Sequence, residues 1–133
     1  MATYLLDTSV IIDALNGKRG RDLLFKELLQ QGHLLACCSI NVTEVYAGLR
    51  PHEEPRTREL LESLQYFPIV WPVARLAGVL KRDYARKGIT LATTDATIAA
   101  VALHHQLTLI TDNLKHYPMK ELSIYPLPAR GRI

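Results

Sequence analysis

Short apolar runs alternate with helix-period stretches along almost the whole chain, and this alternation constrains the fold more than any other feature. Tyr4-Leu5-Leu6 is a brief apolar run that stops at Asp7, as a buried strand does. Ser9 to Leu15 reads as a helix. Arg21 to Gln31 carries Leu23, Leu24, Leu28 and Leu29 on one stripe, and Gly32 ends it. Leu34 to Ile40 predicts a second strand, and Val42 to Leu49 a short helix closed before Pro51. Arg56 to Tyr66 aligns Leu60, Leu61 and Leu64 on one helix face, and Ile69-Val70-Trp71 predicts a third strand stopped by Pro72. Val73 to Lys87 is helical with Leu76, Val79, Leu80 and Tyr84 inward, and Gly88 caps it. An alanine-rich helix, Ala96 to His105, precedes a fourth strand at Leu107 to Ile110, and Ser123 to Pro126 forms a short edge strand. Strands separated by helices of these lengths need crossover connections. The expected fold is a three-layer α/β/α sandwich around a mainly parallel, twisted sheet.

With 133 residues, one domain spanning 1–133 is expected. A chain of this size buries roughly two-thirds of its unfolded surface, enough for a core without disulfides or a structural metal. Apolar residues make up 48% and charged residues 22%, which excludes a disordered tail or a fibre. No apolar stretch approaches the ~20 residues that span a bilayer, so no membrane association is expected. Met1-Ala2-Thr3-Tyr4 has no basic segment, and Asp7 interrupts the apolar run, so no secretory signal is expected and the protein reads as cytoplasmic. The adjacent Cys37 and Cys38 cannot bridge each other without strain and read as buried strand residues in a reducing compartment. No C-x-x-C or H-x3-H spacing offers a structural zinc site. The net charge of +3 permits a polyanionic partner without requiring one.

In parallel sheets, function gathers at the carboxyl ends of the strands. Four segments place acids at strand ends or at the starts of helices. Asp7 follows the first strand, Glu44 lies early in the helix after the second, Asp95 opens the alanine-rich helix, and Asp112 follows the fourth strand beside Asn113. Each acid also has an ordinary structural explanation. Asp7, Thr8 or Ser9 can cap the first helix. Asn41-Val42-Thr43-Glu44 fits a capping box, with Glu44 reaching back to the Asn41 amide. Thr94 and Asp95 suit a helix first turn, and Asp112-Asn113 suits a turn. Together, however, the acids converge on one sheet edge, where they would repel one another and raise one another's pKa values. A divalent cation would relieve this. Carboxylates without a cysteine or an obvious histidine ligand form a hard-oxygen set suited to Mg²⁺ or Mn²⁺ rather than Zn²⁺.

With these four motifs in order, the chain resembles the PIN-domain ribonucleases, and within them the VapC-type toxins of toxin–antitoxin pairs. Tyr4 to Asp13 looks like the family's opening strand and first acid. Thr43-Glu44-Val45-Tyr46-Ala47-Gly48 is similar to the second motif, Thr94 to Ala100 to the third, and Leu109 to Tyr117 to the last. The likeness covers nearly the whole chain. One position departs: the family's fourth acid falls two residues after the motif threonine, where this chain has Asn113, and Asp112 comes one residue early. Either residue could serve. Asp112 is the electrostatic choice because it brings a full charge, whereas adjacent residues leaving a strand point in opposite directions.

The resemblance implies a Mg²⁺-dependent endoribonuclease, with Mn²⁺ as a substitute, acting as the toxin of a type II pair and leaving a 5′-phosphate and a 3′-hydroxyl. Asp7, Glu44, Asp95 and Asp112 are its expected catalytic and metal-binding residues, Asp7 central, with Ser9 and Thr111 in support. It also implies an RNA substrate, a cognate antitoxin and a homodimer. The leucines of Arg56 to Phe67 and of Leu28 to Leu35 exceed what one helix face needs, which leaves surface for a partner. Cations for RNA are sought in Lys18, Arg19 and Arg21, and in Arg82, Arg86 and Lys87, each group also readable as a solvated face. Tyr46, Tyr84 and Tyr117 are either stacking groups or core. His104-His105 complements a helix C-terminus, and His116 lies near the last motif.

Rival readings fit less well. A haloacid-dehalogenase-like phosphatase needs an aspartate two residues after Asp7, where Ser9 stands. A receiver-like domain opens with adjacent acids and carries a late lysine after a strand, which these segments do not match. A PIN-like domain that binds a partner without nuclease activity remains as the non-enzyme alternative. Neither G-x-G-x-x-G nor G-x4-G-K-[ST] is present for nucleotide binding.

Overall fold

Strand β1 (Thr3–Leu6) is the middle of a five-stranded sheet, and its alternating side chains explain why both faces must be covered. Leu5 faces one apolar cluster together with Ala36, Cys38 and Leu109, while Leu6 faces the other with Leu35, Cys37 and Ile110. Fully burying each such large side chain contributes roughly 1.5–3 kcal/mol, so neither face can be left to water. The structure, a computed structural model, describes residues 1–127. After β1 come α1 (Thr8–Leu15), α2 (Arg21–Gln30), β2 (Leu34–Cys38), α3 (Ser39–Ala47), α4 (Glu54–Ser63), β3 (Gln65–Phe67), α5 (Trp71–Arg86), α6 (Thr93–His105), β4 (Thr108–Ile110) and β5 (Ile124–Tyr125).

All four strand pairings are parallel, in the order β3-β2-β1-β4-β5. Leu6 pairs with Ile110 and Leu5 with Ala36, which sets the three inner strands level. The chain steps outward from β1 through β2 to β3, then crosses back to place β4 on the other side of β1. The carboxyl ends of β1 and β4 therefore flank the point where the winding reverses, the usual crevice of an open parallel sheet. Helices α1, α2 and α4 supply Val10, Ile11, Phe25, Leu28 and Leu61 to one face, and α5 and α6 cover the other. From Ala96 through Ala102 every residue of α6 is buried, as befits a helix lodged between the sheet and α5, and Val73 and Ala77 of α5 lie buried one turn apart. Cys37 and Cys38 are buried and free, and burial pushes the Cys37 thiol up to about 11.

The three-layer parallel sandwich is the fold expected from the alternation. The third strand is not Ile69 to Trp71 but Gln65–Phe67, at the end of the segment read as helical. Leu64 already has extended backbone, and Pro72 belongs to the first turn of α5, where a missing N–H costs nothing, so Trp71-Pro72 starts a helix rather than stopping a strand. The second strand stops at Cys38, because Ser39 already belongs to α3. In α2 the buried residues include Phe25 and Leu28, while Leu23 and Leu29 are 63% and 53% exposed.

Candidate active site

Asp7 leaves β1 with extended backbone and caps α1, so its carboxylate is fixed at the sheet edge by the local fold. Its Oδ1 accepts the Thr8 N–H at 2.8 Å, and its Oδ2 accepts the Thr111 hydroxyl, from the residue after β4, at 2.7 Å. Its own N–H bonds the Ile110 carbonyl at 2.9 Å. Capping and site formation are one arrangement here: the cap orients the carboxylate, and Thr111 ties it to the reversal point between β1 and β4.

Glu44 enters from α3. Thr8 Oγ1 donates to Glu44 Oε1 at 2.6 Å, and Thr8 in turn accepts from Asn41 Nδ2 at 3.0 Å. The expected capping box is displaced. Helix α3 starts directly off β2 with Cys38 as its cap, so Asn41 is its third residue, and its Oδ1 accepts the Cys38 N–H at 2.7 Å. Glu44 is thereby released from capping and turned to Thr8. Asn41 is fully buried, and with Thr8 it is a part of the site that sequence reasoning assigned only to helix capping.

Asp95, in the first turn of α6, meets the loop after β4. Tyr117 donates its hydroxyl to Asp95 Oδ1 at 3.4 Å, and His116 Nδ1 lies 3.4 Å from Oδ2. Burial raises the Asp95 pKa; His116 counters this, and the charges of Asp7 and Glu44 add to it. Tyr117 is core, as its alternative reading held, but its hydroxyl faces both Asp7 and Asp95, and burial with those two charges pushes its pKa far upward. Three carboxylates from three elements thus sense one another across the crevice. Among the described residues, no group of three or more His, Cys, Asp or Glu side chains is drawn together closely enough to hold a metal ion as it stands. The donor chemistry still fits a hard divalent cation: the three are oxygen donors, and Asp95 carries the electrostatic penalty that such an ion would remove.

The fourth acid lies differently. Asp112 Oδ2 is 3.7 Å from Arg21 Nη2, with both side chains almost wholly buried, and Asp112 Oδ1 accepts the Ser9 hydroxyl at 3.3 Å. Asn113 Nδ2 reaches the same Ser9 oxygen at 3.4 Å, and the Asn113 N–H bonds Thr111 Oγ1 at 3.0 Å. Ser9 and Thr111 are therefore the hinges on which the last motif is hung.

Of the expected cations, Arg21 is buried and faces Asp112 rather than solvent, and Arg19 pairs with Asp13 at 3.0 Å. Lys18, Arg82, Arg86 and Lys87 are exposed, Arg82 beside Asp83 at 3.2 Å. Tyr84 reaches the Pro118 carbonyl at 3.5 Å, which sets this end of α5 beside the last motif. Tyr46 is 37% exposed and donates to Glu54. His104 and His105 close α6, as expected, and His105 packs on Phe67 at 4.6 Å.

The model of the PIN domain family matches residues 4–122. Ribonuclease VapC10 of Mycobacterium tuberculosis is 33% identical over 128 residues, covering 96% of this chain and 95% of its own. Ribonuclease VapC19 of the same organism is 29% identical over 115 residues, covering 86% and 92%. Among solved structures, a toxin-antitoxin complex from Klebsiella pneumoniae is 29% identical with a TM-score of 0.74, covering 92% of this chain and 96% of the other. VapBC2 from Rickettsia felis, bound to a DNA fragment from its promoter, has a TM-score of 0.81 at 22% identity, covering 92% and 97%, and so shares the fold. A match that begins in the strand before the first acid and runs past the last motif, in a fold that sets those acids around one crevice, makes this chain a member of the PIN domain family.

Proposed function

We propose that the crevice is a Mg²⁺-dependent ribonuclease site, with Asp7, Glu44 and Asp95 as its metal-binding and catalytic carboxylates and Mn²⁺ able to substitute. The chain is an endoribonuclease of the VapC type, the toxin of a type II toxin–antitoxin pair, hydrolysing RNA phosphodiester bonds. What supports this reading is that Asp7, Glu44 and Asp95 of a PIN-family sheet are each oriented by a hydroxyl partner, and that the charges of Asp7 and Glu44 reach Asp95. A divalent ion there would polarise a phosphoryl oxygen and lower the pKa of a bound water. The chain's own residues do the rest. Thr111 and the Thr8 N–H aim Asp7, Thr8 aims Glu44, and Tyr117 and His116 fix Asp95. Exposed Lys18, Arg86 and Lys87 supply positive charge for the RNA backbone. The non-catalytic, receiver-like alternative is not favoured, because the chain matches ribonucleases along almost its full length.

Partner binding is part of the same reading. A groove of about 600 Å³ between α1, α2 and α4, lined in part by Leu15, Phe25, Leu29 and Leu60, supports docking of a cognate antitoxin segment. It draws on both leucine-rich segments singled out in the sequence. The toxin acts as a cytoplasmic homodimer. Among the described residues no helix is long and apolar enough to cross a membrane. The test is cleavage of single-stranded RNA with added Mn²⁺ and with EDTA. Metal-dependent internal cuts with 5′-phosphate ends support the proposal, and cleavage indifferent to EDTA contradicts it.

A further inference from the structure

Arg21 occupies a place that opposes a cation on three counts. It is the first residue of α2, at the positive end of the helix dipole. It is 3% exposed, so its charge has lost most of its hydration. The turn that delivers it is conformationally costly: Gly17, Arg19 and Gly20 all have positive φ, +63°, +55° and +68°, and Arg19 has no glycine's freedom there. Strain of this kind persists where the surroundings over-determine it, and it concentrates at functional sites. What the turn delivers is a guanidinium with Nη2 3.7 Å from Asp112 Oδ2 and Nη1 donating to the Arg19 carbonyl at 3.3 Å. Its Nε has no hydrogen-bond partner among the described residues. Asp112 is gripped on its other oxygen by Ser9, two residues beyond Asp7.

We propose that Arg21 is a positioning residue that keeps Asp112 out of the metal's ligand set and thereby holds the site to one tightly bound divalent ion. The proposal rests on the metal-nuclease reading of the crevice. The charge arithmetic favours it. Three carboxylates and one dication leave a single negative charge beside His116, whereas a fourth unneutralised carboxylate would either repel the RNA phosphate or recruit a second ion. A guanidinium is cationic and planar, so it offsets the charge of Asp112 without competing for the metal's other ligands. The same ion pair, acting through Ser9, ties the loop after β4 to the first turn of α1 and so keeps Thr111 on Asp7.

The experiment is a Mn²⁺ titration of the full chain without RNA, read by electron paramagnetic resonance, with circular dichroism as the check on folding. The wild type is expected to bind one ion tightly. Arg21→Met should gain a second, weaker ion, and Arg21→Met combined with Asp112→Asn should return to one. A folded Arg21→Met protein with the wild-type isotherm would overturn the proposal. If Arg21→Met does not fold, Asp112→Asn alone decides: an unchanged isotherm supports the proposal, and a loss of Mn²⁺ affinity beyond ~10-fold, the mark of a ligand, overturns it. Asp7→Asn keeps the two readings apart. It should abolish tight Mn²⁺ binding, and if it does not, the metal site itself is wrong whatever Arg21 does.

Discussion

Asp7, Thr8 and Asp95 show how much of the site rests on single polar contacts. Thr8→Val keeps the shape but removes the donor to Glu44 and the acceptor of Asn41, leaving a buried amide unpaired. The expected cost is about 1–3 kcal/mol in urea unfolding, with metal affinity falling roughly 10–100-fold by titration. Asp95 predicts the opposite sign for stability. Its folded pKa is raised, chiefly by burial, so its ionised form destabilises the metal-free fold. That cost is fully present above the raised pKa and disappears as pH falls below the ordinary 3.8 of the unfolded chain. Asp95→Asn should therefore raise the melting temperature slightly at neutral pH without metal, and the gain should vanish on acidification; a lower melting temperature at neutral pH would refute the assigned cause. The candidate acids were legible in the sequence, because Asp7 and Asp112 follow strands and Glu44 and Asp95 lie early in helices. Their partners were not. Asn41 looked like a cap and Arg21 like an RNA-facing or solvated cation, and only the long-range approach of Thr8 to α3 and of Arg21 to Asp112 reveals the partners of each.

Among the elements, α6 is the most tightly constrained. Its buried run of small residues lets α5 and the sheet approach it closely, so Ala100→Leu should cost about 1–3 kcal/mol by overpacking, measured as a shifted urea midpoint. A neutral result would mean the layer between α5 and the sheet is looser than its burial implies. Periodicity made most of the helices readable, and the short apolar runs Tyr4-Leu5-Leu6 and Leu107 to Ile110 marked the central strands. The edge strand β3 was misplaced because Gln65-Tyr66-Phe67 is only three residues long and carries a mixed, exposed pattern. Ile69-Val70-Trp71 looked more strand-like, yet Trp71 and Pro72 form the first turn of α5. Short edge strands are specified by pairing, here Cys38 with Phe67, more than by local sequence.

For the whole molecule, the parallel order β3-β2-β1-β4-β5 builds the candidate crevice, since it sets Asp7 and Thr111 side by side across 104 residues of sequence. The proposed homodimer predicts a sedimentation mass twice that of the 15.0 kDa chain at micromolar concentration, and a monomer at both low and high salt would contradict it. The central claim is that this topology assembles a metal-dependent ribonuclease around Asp7. Its most direct measurement is the mapping of RNA ends after incubation of single-stranded RNA with the wild type and with Asp7→Asn, each with Mn²⁺ and with EDTA. The account predicts internal cuts with 5′-phosphate and 3′-hydroxyl ends from the wild type with Mn²⁺ alone, and none from a folded Asp7→Asn protein. Equal cleavage by the two proteins, or cleavage by the wild type in EDTA, would contradict it.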